Sequence, residues 1–233
     1  MRKVELGGGR ISLYQGDCFE ILAEISGADA VITDPPYFLS LANDMYGKLN
    51  PWANLCNGAF FVKGWLSLCL EALKTDCVVW SFTNWQGFAA FQKAGYETGC
   101  PVRSLLVWDK DTLGPGVIGL RPSYELVAMF ARGKFKISNR SVSDIFRCAK
   151  GGCQSDAHPA QKPLPLLGHL VKISSAPNNI IIDPFMGSGS TGVAAVKHGR
   201  KFIGIEQDPK WFDVACGRIQ EALDQRRLLD LAS

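Results

Sequence analysis

Short runs of consecutive apolar residues alternate with longer amphipathic stretches along the 233-residue chain. Apolar runs bounded by Gly, Pro, Asp or Asn are typical of buried parallel strands, and apolar residues three and four positions apart are typical of helices. The pattern predicts seven strands, near Ile11 to Gln15, Ala30 to Thr33, Cys77 to Phe82, Ser104 to Trp108, Glu125 to Phe130, Asn179 to Ile182 and Lys201 to Ile205. It predicts helices over Phe60 to Leu73, Gln86 to Ala94, Leu164 to Ser174, Thr191 to His198 and Pro209 to Leu229. This alternation indicates an α/β protein with a doubly wound, mostly parallel sheet.

Two of the predicted strands end in segments with unusual residues. The first strand end is Asp34-Pro35-Pro36-Tyr37, after the apolar run Ala30-Val31-Ile32. The second is Asp183-Pro184-Phe185-Met186-Gly187-Ser188-Gly189-Ser190-Thr191, after Ile180-Ile181-Ile182. Ligands of open parallel sheets bind beyond the carboxyl ends of the strands, so we expect both segments to face one crevice.

The chemistry of the two segments is complementary. Glycines in the second segment allow close approach to the backbone, and Ser190 and Thr191 are placed to open a helix whose N–H groups face a ligand. This suits a nucleoside-like cofactor. In the first segment, two prolines hold the Asp34 and Pro35 carbonyl groups and the Tyr37 ring in one arrangement, which suits a flat base with an amino group. Each segment alone also fits an ordinary turn, so the interpretation depends on the pair.

With both segments in this order, the chain resembles the amino-type DNA methyltransferases that use S-adenosylmethionine, in the permuted class whose catalytic motif precedes the cofactor motif. The likeness runs over most of the chain. Further segments that match the family are Tyr14-Gln15-Gly16-Asp17-Cys18, His158-Pro159-Ala160-Gln161-Lys162-Pro163 and Gly199-Arg200-Lys201-Phe202-Ile203-Gly204-Ile205-Glu206. The resemblance implies a Rossmann-like fold with an antiparallel final hairpin, made by the strands near Ser104 and Glu125. It also implies that the two late strands lie beside the two early ones.

The resemblance also implies roles for individual residues. The catalytic motif would be Asp34, Pro35, Pro36 and Tyr37. Cofactor contacts would come from Asp17, Cys18, Asp34, His158, Lys162, Asp183, Phe185, Gly187, Ser188, Gly189, Ser190 and Glu206. Glu206 would bind the ribose, because a carboxylate can accept hydrogen bonds from both hydroxyls. Lys162 would pair with the cofactor's carboxylate, whereas His158 could equally make a structural hydrogen bond.

Composition narrows the class of protein. No apolar run reaches the roughly 18 to 20 residues of a spanning helix, and no apolar stretch follows the charged N-terminus, so we expect a cytoplasmic protein without a membrane segment. The eight cysteines include no Cys-x-x-Cys pair, which favours reduced thiols over a metal site. Cys148 and Cys153 flank a Gly-Gly pair but lack a second pair, so we predict no metal.

We expect residues 1–233 to form one domain with loop insertions near 38–59, 109–122 and 131–157. The first insertion could be a lid over the cofactor or a contact to nucleic acid. The third lies where the resembled family places target recognition, and it is short, which predicts modest sequence specificity. Its positive charge predicts phosphate contacts; the basic residues are Arg132, Lys134, Lys136, Arg140, Arg147 and Lys150.

The expected reaction is methylation of the 6-amino group of adenine in DNA, by base flipping and direct transfer. Methylation of the cytosine N4 amine stays open, although the acid at position 34 favours adenine by resemblance, because cytosine enzymes of this type more often have Ser there. A catalytically silent nucleic-acid-binding subunit of the same fold is the alternative from another class. DNA is the expected partner, and a homodimer and a cognate restriction or phage partner stay open.

Overall fold

The structure is a computed structural model that describes residues 1–36, 58–114, 120–139, 141–149 and 161–232. In this described part, nine strands form one sheet. They are β1 (Arg2–Leu6), β2 (Ile11–Gln15), β3 (Ala28–Thr33), β4 (Leu73–Thr83), β5 (Val102–Asp109), β6 (Tyr124–Arg132), β7 (Ile145–Arg147), β8 (Ile180–Asp183) and β9 (Lys201–Glu206). The helices are α1 (Cys18–Ile21), α2 (Gly58–Ala72), α3 (Phe88–Glu97), α4 (Leu164–Ser174), α5 (Ser190–Lys197) and α6 (Pro209–Ala232).

The strand order is β1-β2-β9-β8-β3-β4-β6-β5-β7. The five strands from β2 to β4 in this order are parallel, and β6 is antiparallel to both of its neighbours, β4 and β5. The doubly wound sheet with an antiparallel hairpin is therefore confirmed. The expected neighbourhood of the late strands β8 and β9 with the early strands β2 and β3 is also confirmed.

The sheet has two more strands than the pattern predicts, one at each edge. β1 pairs antiparallel with β2 across a turn in which Gly7, Gly8 and Gly9 all have positive φ, a conformation that glycine adopts without strain. β7 is three residues long and pairs parallel with β5. Both strands are largely exposed, so they lack the continuous apolar run by which buried strands are recognised.

Helices cover both faces of the sheet. One core cluster joins the sheet to α4, α5 and α6, and the other joins it to α2 and α3 around the fully buried Trp65. Burial on both faces explains why the central strands are apolar at consecutive positions instead of alternating. None of the described helices is long and apolar enough to cross a membrane.

Candidate active site

A cavity of about 890 Å³ lies at the carboxyl ends of the parallel strands β3, β8 and β9. We call this end of the sheet the site edge. The structure brings the two special segments together there, as expected. Predicted site residues that line the cavity are Asp17, Cys18, Asp34, Pro35, Pro36, Lys162, Asp183, Phe185, Gly187, Ser188, Ser190 and Glu206. Tyr37 and His158 lie outside the described residues.

Asp183 connects the two segments. The Thr33 hydroxyl, next to Asp34 in the chain, donates to Asp183 Oδ1 at 2.7 Å, and the Phe185 N–H donates to the same oxygen at 3.1 Å. Burial raises the pKa of the Asp183 carboxyl to about 7, against hydrogen bonds that lower it. This carboxyl therefore titrates near neutral pH.

The two oxygens of the Asp34 carboxylate have different surroundings. Oδ2 accepts a hydrogen bond from Lys162 Nζ at 2.5 Å. Oδ1 is buried, and no donor from the described part of the chain bonds to it. A buried oxygen without a donor costs free energy, so it marks a position where a ligand donor is favoured.

Lys162 lies between two carboxylates of the protein itself. Its ammonium is 2.5 Å from Asp34 Oδ2 and 3.3 Å from Glu125 Oε2, and Glu125 Oε1 is 2.7 Å from Lys110 Nζ. Burial by itself lowers the pKa of Lys162, but the two carboxylates outweigh it and raise that pKa. The expected pairing with a cofactor carboxylate therefore stays a prediction, and these two protein carboxylates already balance the lysine's charge. Sequence reasoning missed Glu125, whose only signal in the sequence is an acid that directly precedes the apolar run from Leu126 to Ala131.

After the loop that follows β8, α5 begins at Ser190, where the sequence predicts a helix start. Gly187 and Gly189 have φ of 51° and 79°, in the left-handed region. A Cβ on Gly187 would meet no described atom within 4 Å, so the backbone there is open to a ligand. A Cβ on Gly189 would lie 2.9 Å from Ala215 Cβ, so this glycine packs against α6 and does not line the cavity.

Arg218 of α6 donates hydrogen bonds to this loop. Its Nη1 donates to the Ser188 carbonyl at 2.6 Å, to Ser188 Oγ at 2.8 Å and to Ser190 Oγ at 3.3 Å. The Ser188 hydroxyl predicted to contact the cofactor is therefore engaged by the protein. The arginine was missed because nothing in the sequence of α6 shows which of its basic residues faces the loop.

Two further acids, Asp17 after β2 and Glu206 at the end of β9, also line the cavity. Glu206, at the end of β9, accepts from Gly187 N–H at 2.8 Å and from Asp208 N–H at 2.8 Å, and burial raises its pKa. Asp17 caps α1 by accepting from Phe19 N–H at 2.8 Å. Next to it, burial raises the pKa of the Cys18 thiol to about 12, so the thiol is protonated at neutral pH.

The third insertion begins at the edge of the sheet opposite the site. Arg132 pairs with Cys77 near the start of β4, whereas β4 reaches the site edge at Thr83. The Lys134 N–H donates to Asp76 Oδ1 at 2.8 Å, which places this part of the insertion roughly 20 Å from the site edge at the usual rise per strand residue. The antiparallel direction of β6 therefore places Lys134 away from the site edge, and the phosphate contacts expected of this part stay a prediction.

The insertion returns to the site edge along β7. Arg147 pairs with Asp109, the last residue of β5, and its Nε donates to Asp109 Oδ2 at 2.9 Å. Arg132 is instead used within the fold, where Nη2 donates to the Leu70 carbonyl at 2.9 Å. Arg140 and Lys150 lie outside the described residues.

Comparison with known proteins identifies the class that this fold and site define. The family model for N6/N4 DNA methylases matches residues 28–216, and the chain belongs to this family of amino-type DNA methyltransferases. YubD of Escherichia coli (strain K12) is 33% identical over 202 residues, which cover 82% of each chain.

Two solved structures share the fold. The crystal structure of the M1.HpyAVI-SAM complex has a TM-score of 0.73 and 25% identity, over 90% of this chain and 98% of that one. The PvuII DNA methyltransferase, which is cytosine-N4-specific, has a TM-score of 0.72 at 17% identity, over 92% of each chain. Likeness of fold therefore does not decide which base is methylated.

Proposed function

We propose that this DNA methyltransferase transfers a methyl group from S-adenosylmethionine to the 6-amino group of adenine in DNA. The observation that supports transfer to an amino group is the buried Asp34 Oδ1, which has no donor among the described residues and lies at the cavity between the two motifs. The acid at position 34 favours adenine over cytosine by resemblance. The Asp34 carboxylate and the Pro35 carbonyl would accept the two hydrogens of the target amine.

The cavity fits the cofactor. Its volume is within the usual range for small-molecule sites, about 300 to 1,000 Å³. The open backbone at Gly187 would accommodate the methionine end, Asp183 its ammonium, and Glu206 the ribose. The SAM complex of M1.HpyAVI supports this assignment. The cofactor supplies a methyl group activated on a sulfonium.

The protein's contribution is orientation and electrostatics. The lone pair of the adenine amine is delocalised into the ring, so the amine is a weak nucleophile. Acceptors at Asp34 and Pro35 favour tetrahedral geometry at nitrogen and direct the lone pair toward the methyl group. Asp34 is also placed to accept the amine's proton after transfer. The base must leave the duplex to reach this cavity.

Cytosine N4 methylation uses the same acceptors and is the alternative reaction. The deciding experiment incubates the protein with S-adenosylmethionine and unmethylated DNA, and measures methylated nucleosides by mass spectrometry after digestion. We expect N6-methyladenine; N4-methylcytosine alone would establish the alternative. Calorimetric binding of the cofactor without any methylated product would instead indicate that the DNA used lacks the recognised sequence, and absence of cofactor binding would indicate a silent subunit.

We further propose that DNA approaches the site edge and that residues 1–233 act as one domain. The single sheet connects every described strand, which supports one domain. Within the insertion at 131–157, the described residues that lie at the site edge are those around Arg147, at the end of β7, so target contacts would come from there.

Tyr37 is expected to stack on the flipped base, because it directly follows the rigid prolines. Tyr37→Ala should then lower kcat more than Tyr37→Phe or Tyr37→Trp, since stacking requires a ring and not a hydroxyl. Steady-state kinetics of the three variants would test this. Equal losses in the Phe and Ala variants would show that the hydroxyl is the working group.

The raised pKa of the Asp183 carboxyl leads us to expect that cofactor binding depends on pH. Its carboxyl is protonated below a pKa of about 7 and ionised above it, and only the ionised form pairs with an ammonium. We expect cofactor affinity to rise with pH up to about 7, by at most about tenfold per pH unit. Calorimetry on the parent and on Asp183→Asn would test this, and the same slope in both proteins would contradict it.

The same shift has a consequence for stability. The folded-state pKa of Asp183 is above the ordinary value of 3.8, so the carboxyl stabilises the fold below that ordinary value. This contribution is lost as the pH rises through about 7. The unfolding free energy of the parent, relative to that of Asp183→Asn, should therefore fall as the pH rises from 3.8 to about 7.

A further inference from the structure

Four charged side chains of alternating sign form a chain that leads away from the site. Asp34, Lys162, Glu125 and Lys110 are joined by contacts of 2.5, 3.3 and 2.7 Å between ammonium nitrogens and carboxylate oxygens. The chain connects the end of β3 to β6 and to the residue that follows β5. It therefore links the catalytic motif to the antiparallel half of the sheet.

Lys162 is held in place from several directions. Its side chain is 8% exposed, and its Nζ lies 5.0 Å from the centre of the Phe82 ring, a favourable distance for a cation over an aromatic face. A buried charge is unfavourable unless its partners have good geometry, and Asp34 and Glu125 provide two carboxylates. The ammonium is thus shared between the catalytic aspartate and Glu125.

Glu125 is suited to hold that ammonium. It belongs to β6, where it pairs with Trp108 of β5, so its backbone is fixed by the sheet. Burial acts to raise the pKa of Glu125, but Lys162 and Lys110 outweigh it and lower that pKa. The carboxylate is therefore charged under assay conditions near neutral pH.

We propose that Glu125 is a positioning residue for methyl transfer, which holds the Lys162 ammonium at Asp34 Oδ2 and so keeps Oδ1 directed at the target amine. This inference rests on the proposed function, because it assigns Oδ1 to the amine. The terminal torsion of an aspartate is broad, so Asp34 needs an external contact to define its orientation. Without Glu125, Lys162 would lose one of its two carboxylate partners, and its ammonium could shift along the Asp34 carboxylate and compete with the amine for both oxygens.

The first experiment compares Glu125→Gln with Glu97→Gln, a matched control on α3 whose carboxylate also contacts two lysines. We expect Glu125→Gln to lower kcat by about 10- to 100-fold, the range for a small misplacement of a reacting group. The KM for DNA and the Kd for S-adenosylmethionine should change less than about threefold. The control should behave as the parent does. Circular dichroism and thermal unfolding verify that both variants are folded.

A second experiment separates positioning from a purely structural role. If Glu125 acts through Lys162, the double variant Glu125→Gln/Lys162→Met should have the kcat of Lys162→Met alone. Glu125→Asp keeps the charge and should retain more activity than Glu125→Gln. A crystal structure of Glu125→Gln should show that Lys162 Nζ or the Asp34 carboxylate has moved.

The outcomes separate a failure of the Glu125 positioning role from a failure of the proposed methyl transfer. An active parent with an equally active, folded Glu125→Gln variant would overturn the positioning role alone. Additive losses in the double variant, or a loss of cofactor binding equal to the loss of turnover, would overturn it as well. A parent that transfers no methyl group to DNA would overturn the proposed function, and this inference with it.

Discussion

Asp34→Ala is expected to abolish methyl transfer, with a loss in kcat of at least about 10²-fold, the cost of removing one preorganised electrostatic contact in an active site. The Kd for S-adenosylmethionine should rise at most several-fold. The reason is that Asp34 Oδ1 is assigned to the target amine, whereas the proposed cofactor contacts come from the loop from Asp183 to Ser190 and from Glu206, which line the cavity. Steady-state methylation at saturating DNA and cofactor, together with calorimetry, measures the two quantities separately.

Asp213→Ala is a matched control for this prediction. Asp213 is on α6, is 59% exposed and pairs with Arg2, so its removal should leave turnover unchanged. Asp34→Asn adds a finer test, since it keeps the shape of the side chain but leaves Lys162 without one negative partner. Near-normal turnover in Asp34→Ala would refute the assignment of the catalytic acceptor.

Glu206→Ala is expected to weaken cofactor binding by about 100-fold, because a hydrogen bond to a charged group contributes about 1.5 to 3 kcal/mol and 1.4 kcal/mol is a factor of ten. At saturating cofactor, kcat should recover to within a few-fold of the parent. The carboxylate also accepts from Gly187 N–H, so the Ala variant loses an anchor of the cofactor loop in addition to the ribose contact.

Glu206→Gln separates these two effects. The amide oxygen can still accept from Gly187 N–H, so the loop should stay in place while the charged acceptor is lost. We expect an intermediate Kd, measured by calorimetry beside the exposed control Glu24→Gln. An unchanged Kd in Glu206→Ala would exclude the ribose role and leave only the anchoring of the loop.

The predicted strands and helices were recovered with changes at their ends, the largest being β4, which begins at Leu73, four residues before the predicted start. β8 and β9, for example, each extend one residue beyond the predicted strand to the acids Asp183 and Glu206. Such elements can be recognised because an apolar run and the Gly or Pro that ends it are local properties of the chain. The two edge strands were missed because their stability comes from pairing with β2 and β5, and such pairing has no local signal.

The sequence by itself determined which residues could perform the chemistry, because strand ends with Pro, Gly and acids are defined by neighbours in the chain. Only the tertiary structure decided which charges meet. Lys162 is 128 residues from Asp34 in sequence, yet it pairs with Asp34 and with Glu125. Contacts over such separations depend on strand order and direction. The same strand directions place Lys134 at the edge opposite the site, a position that the charge of the insertion does not indicate.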